Sequence, residues 1–219
     1  MEAVLSIAGS DSSGGAGIQA DIKTIAAHRL FAETAITALT AQNTLGVTGV
    51  LDVDPAFVAK QIDAVFEDIR PAAVKVGMVS SAAIIEAVAD ALERHAAANI
   101  VVDPVMVATS GARLIGDDAI EALKARLLPL ADVVTPNMPE AAVLAGFEVV
   151  DETSMERAAL RLAEVQERRR GRLERAGEHL VEVFDGPLLA AGRQFERDRR
   201  ATLREVLQIQ FAVERLQRV

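Results

Sequence analysis

Residues 3–21 read AVLSIAGSDSSGGAGIQAD, and this stretch passes from an apolar run through a glycine-rich turn into an amphipathic run. The apolar part, AVLSIAG (3–9), predicts a buried strand, and Gly15–Arg29 predicts a helix. The apolar stripe predicted for this helix consists of Ile18, Ile22, Ile25 and Ala26. A strand joined to a helix by a tight turn is the unit from which parallel sheets are built.

The same alternation of short apolar runs and longer periodic runs continues to about residue 150. Further strands are predicted at 34–42, 47–53, 73–78, 99–106 and 131–137, with 47–53 as an edge strand. Further helices are predicted at Pro55–Ile69, Ser81–His95, Asp117–Leu128 and Pro139–Ala145. This order predicts an α/β fold, with a mostly parallel central sheet that has helices on both faces.

Composition excludes several classes of function. The chain has 219 residues, a net charge of −9 and no cysteine. The acidic balance argues against a nucleic-acid partner, which requires a basic surface. Without cysteine there is no disulfide, thiolate metal site or cysteine nucleophile. The first residues are apolar only briefly before Asp11, which predicts neither a signal peptide nor a membrane span. No membrane partner is expected, and a cytoplasmic location is.

Small, amide and carboxylate residues follow the predicted strands. They are Gly9 and Asp11, Gln42, Met78, Asp103, and Asn137 with Glu140. Because the carboxyl ends of parallel strands share one end of a sheet, and ligands bind there in open α/β folds, these residues predict one binding site.

Each of these residues also has an ordinary structural interpretation. Asp11 is suited to capping a turn, Asp103 before a proline to ending a strand, and Asn137 to capping the following helix. Gln42 fits an ordinary loop, and Met78 is more often part of a core than of a binding site. The combination at one end of the sheet, rather than any single residue, supports the binding site.

The glycine-rich turn matches neither standard phosphate-binding motif. GxxxxGK[ST] requires a lysine where Ile18 stands, and the glycine spacing differs from GxGxxG. The carboxylates of Asp11 and Asp21 flank the turn and repel phosphate. The turn is better suited to bringing bare backbone close to a flat, neutral, polar substrate whose amino or hydroxyl groups the carboxylates accept.

Five segments together resemble the hydroxymethylpyrimidine/phosphomethylpyrimidine kinases of thiamine biosynthesis, which belong to the ribokinase-like superfamily. They are AGSDSSGGAGIQADIKT (8–24), ITALTAQNTLGV (36–47), VKVGM (74–78), VVDPVMVATSGARLI (101–115) and TPNMPEAAVLAG (135–146). The resemblance covers residues 3 to about 150. It implies a ribokinase-like fold for this part and Mg²⁺-dependent phosphorylation by ATP. The substrates implied are 4-amino-5-hydroxymethyl-2-methylpyrimidine and its monophosphate.

The resemblance also implies roles for particular residues. Gln42 corresponds to a hydrogen-bonding partner of the aminopyrimidine. Gly9, Asp11 and Asp21 correspond to pocket residues, and Met78, Val105 and Val107 to residues packed on the ring. Asn137 and Glu140 match the superfamily's Asn-x-x-Glu pattern, which organises Mg²⁺ and the phosphates of ATP; Glu140 is the candidate metal ligand, and Asp103 is a weaker candidate near the phosphates. Relatives of this type are usually homodimers.

The sequence departs from the family pattern after about residue 150. Residues 151–219 are rich in arginine and predict a divergent, mostly helical segment, either packed on the 1–150 core or loosely attached. The family's Val-Lys-Gly-Gly-His-like and Gly-Thr-Gly-Cys segments do not occur in these residues, so no catalytic residue is assigned. Three interpretations stay open: a kinase whose last segment is frame-shifted or spliced, a pyrimidine-binding module without catalysis, and a non-enzymatic protein whose helices contact a partner.

Overall fold

The computed structural model describes residues 1–106, 115–170 and 180–181. The predictions for Val107 and for most of the segment 151–219 therefore lie outside the described residues. Within the described part, no helix is both long enough and apolar enough to cross a membrane.

A single sheet of seven strands organises the described residues. The strands are β1 (Ala3–Asp11), β2 (Phe31–Asn43), β3 (Gly46–Asp52), β4 (Ala73–Val76), β5 (Ile100–Val102), β6 (Val133–Val134) and β7 (Leu180–Val181). Their order in space is β3-β2-β1-β4-β5-β6-β7. Every neighbouring pair is parallel except β2 and β3, which are antiparallel. The mostly parallel sheet and the edge position of the third strand are as predicted.

Helices lie between consecutive strands, except between β2 and β3, which a short turn joins. They are α1 (Gly17–Ala27), α2 (Pro55–Asp68), α3 (Ala82–Arg94), α4 (Asp117–Ala122), α5 (Met138–Ala145) and α6 (Glu152–Arg170). The Asp54 side chain accepts a hydrogen bond from Phe57 N at the start of α2, and Pro55 follows it. Gly146 ends α5 in the left-handed conformation, at φ 78°. These starts and stops follow from the sequence because cap residues act locally.

Two predicted strands and one predicted helix are longer in the prediction than in the structure. The strands predicted at 99–106 and 131–137 are shorter in the structure, Ile100–Val102 and Val133–Val134. Pro104 and Pro136 stand two residues after these strands, and because proline has no N–H to donate to a neighbouring strand, the strands cannot continue through them. The helix predicted to end at Leu128 leaves α-helical geometry after Ala122, continuing as a π turn (Leu123–Leu127) and a 3-10 turn (Leu128–Leu130).

The predicted apolar stripe of α1 is also partly wrong. Ile18 and Ile25 are buried, but Ile22 is 38% exposed and Ala26 is exposed. The buried face of α1 includes the polar residues Asp21 and Thr24 instead. A periodicity analysis that counts only apolar residues misplaces such a face because it assumes that charges lie outside.

The two faces of the sheet are covered differently. On one face, which we call the aliphatic face, side chains including Leu5, Val74 and Val102 pack with residues of α2, α3 and α4 in the main core. On the other, the polar face, a smaller cluster of Val4, Ala20, Ile25, Ala73, Val101 and Val133 joins the sheet to α1. Because side chains alternate along a strand, Ser6 and Lys75 lie on the polar face as well.

Helix α6 packs on the core. Leu162 belongs to the main aliphatic cluster, and Ala158 is buried in a small cluster with Ala141 and Val149. The first part of the predicted segment 151–219 therefore lies against the sheet domain. The division of the chain at residue 150 stays a prediction.

Candidate functional site at the carboxyl end of the sheet

Five parallel strands finish at the same end of the sheet, which we call the carboxyl rim. Gly9–Asp11 terminate β1, Gln42 lies near the end of β2, and Met78 follows β4. Asp103 follows β5 and Asn137 follows β6. The register pairs Asp11 with Thr40, so β2 extends beyond β1 and carries Gln42 above the first turn. The fold thus places Gly9, Asp11, Gln42, Met78, Asp103 and Asn137 at one end of the sheet.

The Asp11 carboxylate organises the glycine-rich turn. Its Oδ1 accepts hydrogen bonds from the backbone N–H and the hydroxyl of Ser13, both at 2.8 Å. Its Oδ2 accepts from Gly15 N at 2.9 Å and Ala16 N at 2.7 Å. Burial alone raises the pKa of Asp11, but these hydrogen bonds outweigh burial and the pKa is lowered. The contacts are those of a turn cap, and they hold the turn in a fixed shape.

Glycines let the backbone of this turn approach β1 closely. Gly17 has φ 54°, and a Cβ there would lie 2.2 Å from the Gly9 carbonyl oxygen. At Gly9 itself, a Cβ would lie 2.9 Å from Cε of Met78. The thioether of Met78 therefore lies over bare backbone at the end of β1, and a side chain at either glycine would displace this arrangement.

Gln42 is attached to the first turn through its backbone. Ser12 Oγ donates to Gln42 O at 2.7 Å, and Gln42 N donates to Ser12 Oγ at 2.9 Å. The side-chain Oε1 of Gln42 accepts only a long hydrogen bond of 3.4 Å from Thr40. The amide NH₂ of this half-buried side chain has no hydrogen-bond partner among the residues that the structure describes, which leaves two donors at the rim.

A buried ion cluster lies on the polar face beneath the rim. Lys75 Nζ is 3.2 Å from Asp21 Oδ2 and 3.8 Å from Asp103 Oδ2. Ser6 Oγ also donates to Asp21 Oδ2. Burial lowers the pKa of Lys75, but the two carboxylates outweigh burial and the pKa is raised, so the lysine is an ammonium ion.

Sequence reasoning gave Lys75 no role, although a signal was present. A single lysine in the apolar strand AVKVGM implies a buried cation, and a buried cation requires a carboxylate partner. The same cluster shows that Asp21, predicted to line a substrate pocket, has a side chain only 2% exposed that already has two partners.

Asn137 and Glu140 form the start of α5. Asn137 Oδ1 accepts from Glu140 N at 2.9 Å, and Glu140 Oε2 accepts from Asn137 N at 3.0 Å, which is a capping box. Glu140 Oε1 also accepts from Met106 N at 3.3 Å. The buried Glu140 carboxylate therefore ties α5 to the segment after β5, while Asn137 is exposed at the rim.

The side-chain oxygens at this end of the sheet are of the type that Mg²⁺ prefers. Asp103, Asn137 and Glu140 supply carboxylate and amide oxygens, and the hydroxyl of Thr135 is buried without a hydrogen-bond partner among the described residues. The described residues contain no group of three or more His, Cys, Asp or Glu able to hold a metal by themselves. Such a set fits Mg²⁺, which commonly takes one or two carboxylates and completes its shell with water and phosphate oxygens.

Comparison with known proteins identifies the family. A family model described as phosphomethylpyrimidine kinase matches residues 11–171, most of the chain. The chain belongs to this family. A hydroxymethylpyrimidine/phosphomethylpyrimidine kinase of Rhizobium meliloti is 56% identical over 156 residues, which cover 71% of this chain and 58% of that kinase. The thiamine biosynthesis bifunctional protein ThiED of Geobacter sulfurreducens is 51% identical over 84% of this chain and 38% of its own length.

Solved structures agree with this assignment. Phosphomethylpyrimidine kinase from Clostridium difficile 630 has a TM-score of 0.72 and 47% identity, covering 75% of this chain and 71% of that one. A pyridoxal kinase from Staphylococcus aureus in complex with ADP has a TM-score of 0.68 and 35% identity, covering 75% and 60%. The predicted family and the ribokinase-like fold are confirmed. The chain spans 38% of the length of the Geobacter sulfurreducens protein and 59% of the length of a related kinase from Haemophilus influenzae.

Proposed function

We propose that this member of the phosphomethylpyrimidine kinase family transfers phosphate from ATP to 4-amino-5-hydroxymethyl-2-methylpyrimidine and then to its monophosphate, in thiamine diphosphate biosynthesis. The observation that carries the proposal is the family match over residues 11–171, because those residues include most of the carboxyl rim. The reaction is expected in the cytoplasm, with no nucleic-acid or membrane partner.

The acceptor side of the proposed site is the part of the rim formed by β1, β2 and β4. The free amide donors of Gln42 suit the ring nitrogens of an aminopyrimidine, and its carbonyl oxygen suits the amino group. Met78 over Gly9 provides an apolar surface for a flat ring, and Val105, half-buried after β5, extends it. Asp11 contributes indirectly, because its hydrogen bonds to Ser13, Gly15 and Ala16 fix the turn.

The nucleotide side is the part of the rim formed by β5, β6 and the start of α5. Asp103, Asn137 and Glu140 would hold Mg²⁺ together with the phosphates of ATP, Glu140 as metal ligand and the others partly through water. The bound ion would supply neutralisation of phosphate charge. The solved pyridoxal kinase in complex with ADP supports a nucleotide in a protein of this fold. No catalytic base is assigned.

Two measurements on the 219-residue chain test the proposal. Calorimetry with the aminopyrimidine measures acceptor binding, and a coupled assay of ADP release with Mg-ATP measures turnover. We expect both, and Gln42→Ala should weaken pyrimidine binding while leaving the thermal unfolding midpoint close to that of the wild type. Binding without turnover would favour the pyrimidine-binding alternative, since the sequence lacks the family's Gly-Thr-Gly-Cys segment. Absence of both would contradict the proposal.

We also propose that two copies associate through β3. This strand lies at the end of the sheet and is almost wholly exposed, including Val50 at 48% and Leu51 at 67%. Leu45, in the turn before it, is 90% exposed. An apolar edge strand of this kind favours pairing with another chain. Light scattering should give a dimer for the wild type and a monomer for Leu51→Glu, and a monomeric wild type would contradict this part.

A further inference from the structure

The ion cluster beneath the rim joins the two sides of the proposed site. Asp21 comes from α1, which begins at the acceptor side, and Asp103 follows β5 at the nucleotide side. Lys75, on β4 between them, has its ammonium within ion-pair distance of both carboxylates. One buried cation therefore contacts a carboxylate from each side.

The surroundings are arranged to hold this ammonium in one place. A Cβ at Gly77 would lie 2.8 Å from Lys75 Nζ, so the missing side chain two residues along β4 leaves the room that the ammonium occupies. Ser6, which pairs with Lys75 in the register of β1 and β4, donates to the Asp21 oxygen that also contacts the lysine. Asp21 therefore has its rotamer fixed from two sides.

Burial changes across the cluster from inside to outside. The side chains of Asp21 and Lys75 are 2% and 7% exposed, whereas that of Asp103 is 16% exposed. The inner carboxylate is thus sealed in the protein, and the outer one reaches the rim. A buried ion pair stabilises a fold no better than well-packed hydrocarbon of the same volume. This ion cluster lies between the acceptor side and the nucleotide side of the proposed site.

We propose that Lys75 is a positioning residue, which holds the Asp21 and Asp103 carboxylates in place and so links the geometry of the acceptor side to that of the nucleotide side. This inference rests on the proposed function. Without the ammonium, the two carboxylates lose the one cation that contacts both of them. Repulsion between the two charges and their hydration then shift them from their positions. Both subsites then lose their alignment through a single substitution.

The test compares Lys75→Met with Lys60→Met, which removes a lysine from the exposed surface of α2. Calorimetry gives separate dissociation constants for the aminopyrimidine and for Mg-ADP. We expect Lys75→Met to weaken both by about 10- to 100-fold, the range that loss of an outer-shell partner produces at metal-binding sites. Lys60→Met should change neither. Asp21→Asn should weaken mainly the pyrimidine, and Asp103→Asn mainly the nucleotide.

A folded Lys75→Met protein that binds both ligands like the wild type, or that loses only one, would overturn the positioning role. A purely structural role would lower the unfolding temperature and leave both dissociation constants unchanged, and this result would overturn the positioning role too. Absence of pyrimidine binding in the wild type would overturn the proposed function itself, and this role with it.

A second variant covers failure of Lys75→Met to fold. Lys75→Met combined with Asp21→Asn removes one negative charge along with the positive one, so the remaining Asp103 is no longer beside the buried charge of Asp21. We expect this protein to fold and to bind Mg-ADP about tenfold more weakly than the wild type. Nucleotide affinity equal to that of the wild type would show that Asp103 does not need the ammonium, and would overturn the proposal.

Discussion

The two faces of the central sheet bury different kinds of side chain. The aliphatic face packs Leu5, Val74 and their neighbours against α2, α3 and α4 in the main hydrophobic core. The polar face buries Lys75, Asp21 and Ser6 beneath α1, next to a much smaller apolar cluster. The aliphatic face provides stability through the area it removes from water, whereas the polar face uses core volume to hold charges near the carboxyl rim.

The carboxyl groups show the same contrast. Asp21 on the polar face has both a cation and a hydroxyl donor. Glu33, on β2, is on the aliphatic face with Ala35 and is 9% exposed, but its Oε2 has no hydrogen-bond partner among the described residues. Burial and the nearby charge of Asp68 raise the pKa of Glu33. Both faces thus bury a carboxyl group, but only the carboxylate of Asp21 is held by both an ammonium and a hydroxyl among the described residues.

The largest expected effect tests the aliphatic face. Leu5 is fully buried in the main core, so Leu5→Ala should lower the free energy of unfolding by about 2 to 5 kcal/mol through lost burial and a cavity. Leu160→Ala is the matched control, because Leu160 is 68% exposed on α6 and its loss should cost less than about 0.5 kcal/mol. Denaturant unfolding measures both, and equal costs would contradict the assignment of this face as the main core.

The next effect tests the turn that joins β1 to α1 at the rim. Gly17→Ala places a Cβ against the Gly9 carbonyl at φ 54°, and the backbone conformation alone should cost about 1 to 3 kcal/mol. Gly15→Ala is the matched control, since its Cβ meets nothing closer than Asp11 Oδ2 at 3.7 Å and its φ is not positive. Thermal unfolding separates them, and a Gly17→Ala protein as stable as Gly15→Ala would contradict the close approach.

A smaller effect separates the structural role of Asn137 from its proposed role. Asn137→Ala and Asp54→Ala each remove a side chain that accepts a backbone N–H at a helix start, so each should cost about 1 kcal/mol of stability. Only Asn137 lies at the rim beside Glu140, so only Asn137→Ala should also weaken Mg-ADP binding. Calorimetry decides between them, and equal nucleotide affinity in the two variants would remove Asn137 from the proposed site.

The smallest expected effect comes from the Glu33 carboxyl of the aliphatic face. Because the pKa of Glu33 is raised on folding, its ionised form destabilises the native state, and the penalty develops as pH rises from the unfolded value of about 4.3 through the raised pKa. Glu33→Gln should therefore be slightly more stable than the wild type at pH 7, with no gain at pH 3. Glu67→Gln, on the exposed surface of α2, should show no such gain. Unfolding curves at both pH values measure this, and a loss at pH 7 would contradict the sign.

Local signals in the sequence predicted much of this protein. The strand and helix order, the start of α2 at Asp54 and Pro55, and the end of α5 at Gly146 all follow from spacing and cap chemistry within a few residues. The residues of the carboxyl rim follow as well, because parallel strands must finish at one end of their sheet. The family could be recognised for the same reason, since its motifs are concentrated in the turns after these strands.

Only the tertiary structure decided which side chains meet across long separations. Asp21 and Lys75 are far apart in the chain, and no local pattern joins a helix residue to a strand residue several elements away. Glu140 and Met106 also meet only through packing. The buried side of α1, which includes Asp21 and Thr24, was likewise placed wrongly by apolar periodicity. Sequence alone determines where the chain turns and which residues stand at the turns. Whether a buried charge finds a partner depends on how the elements pack, because low-dielectric interactions are strong only between groups that packing brings into contact.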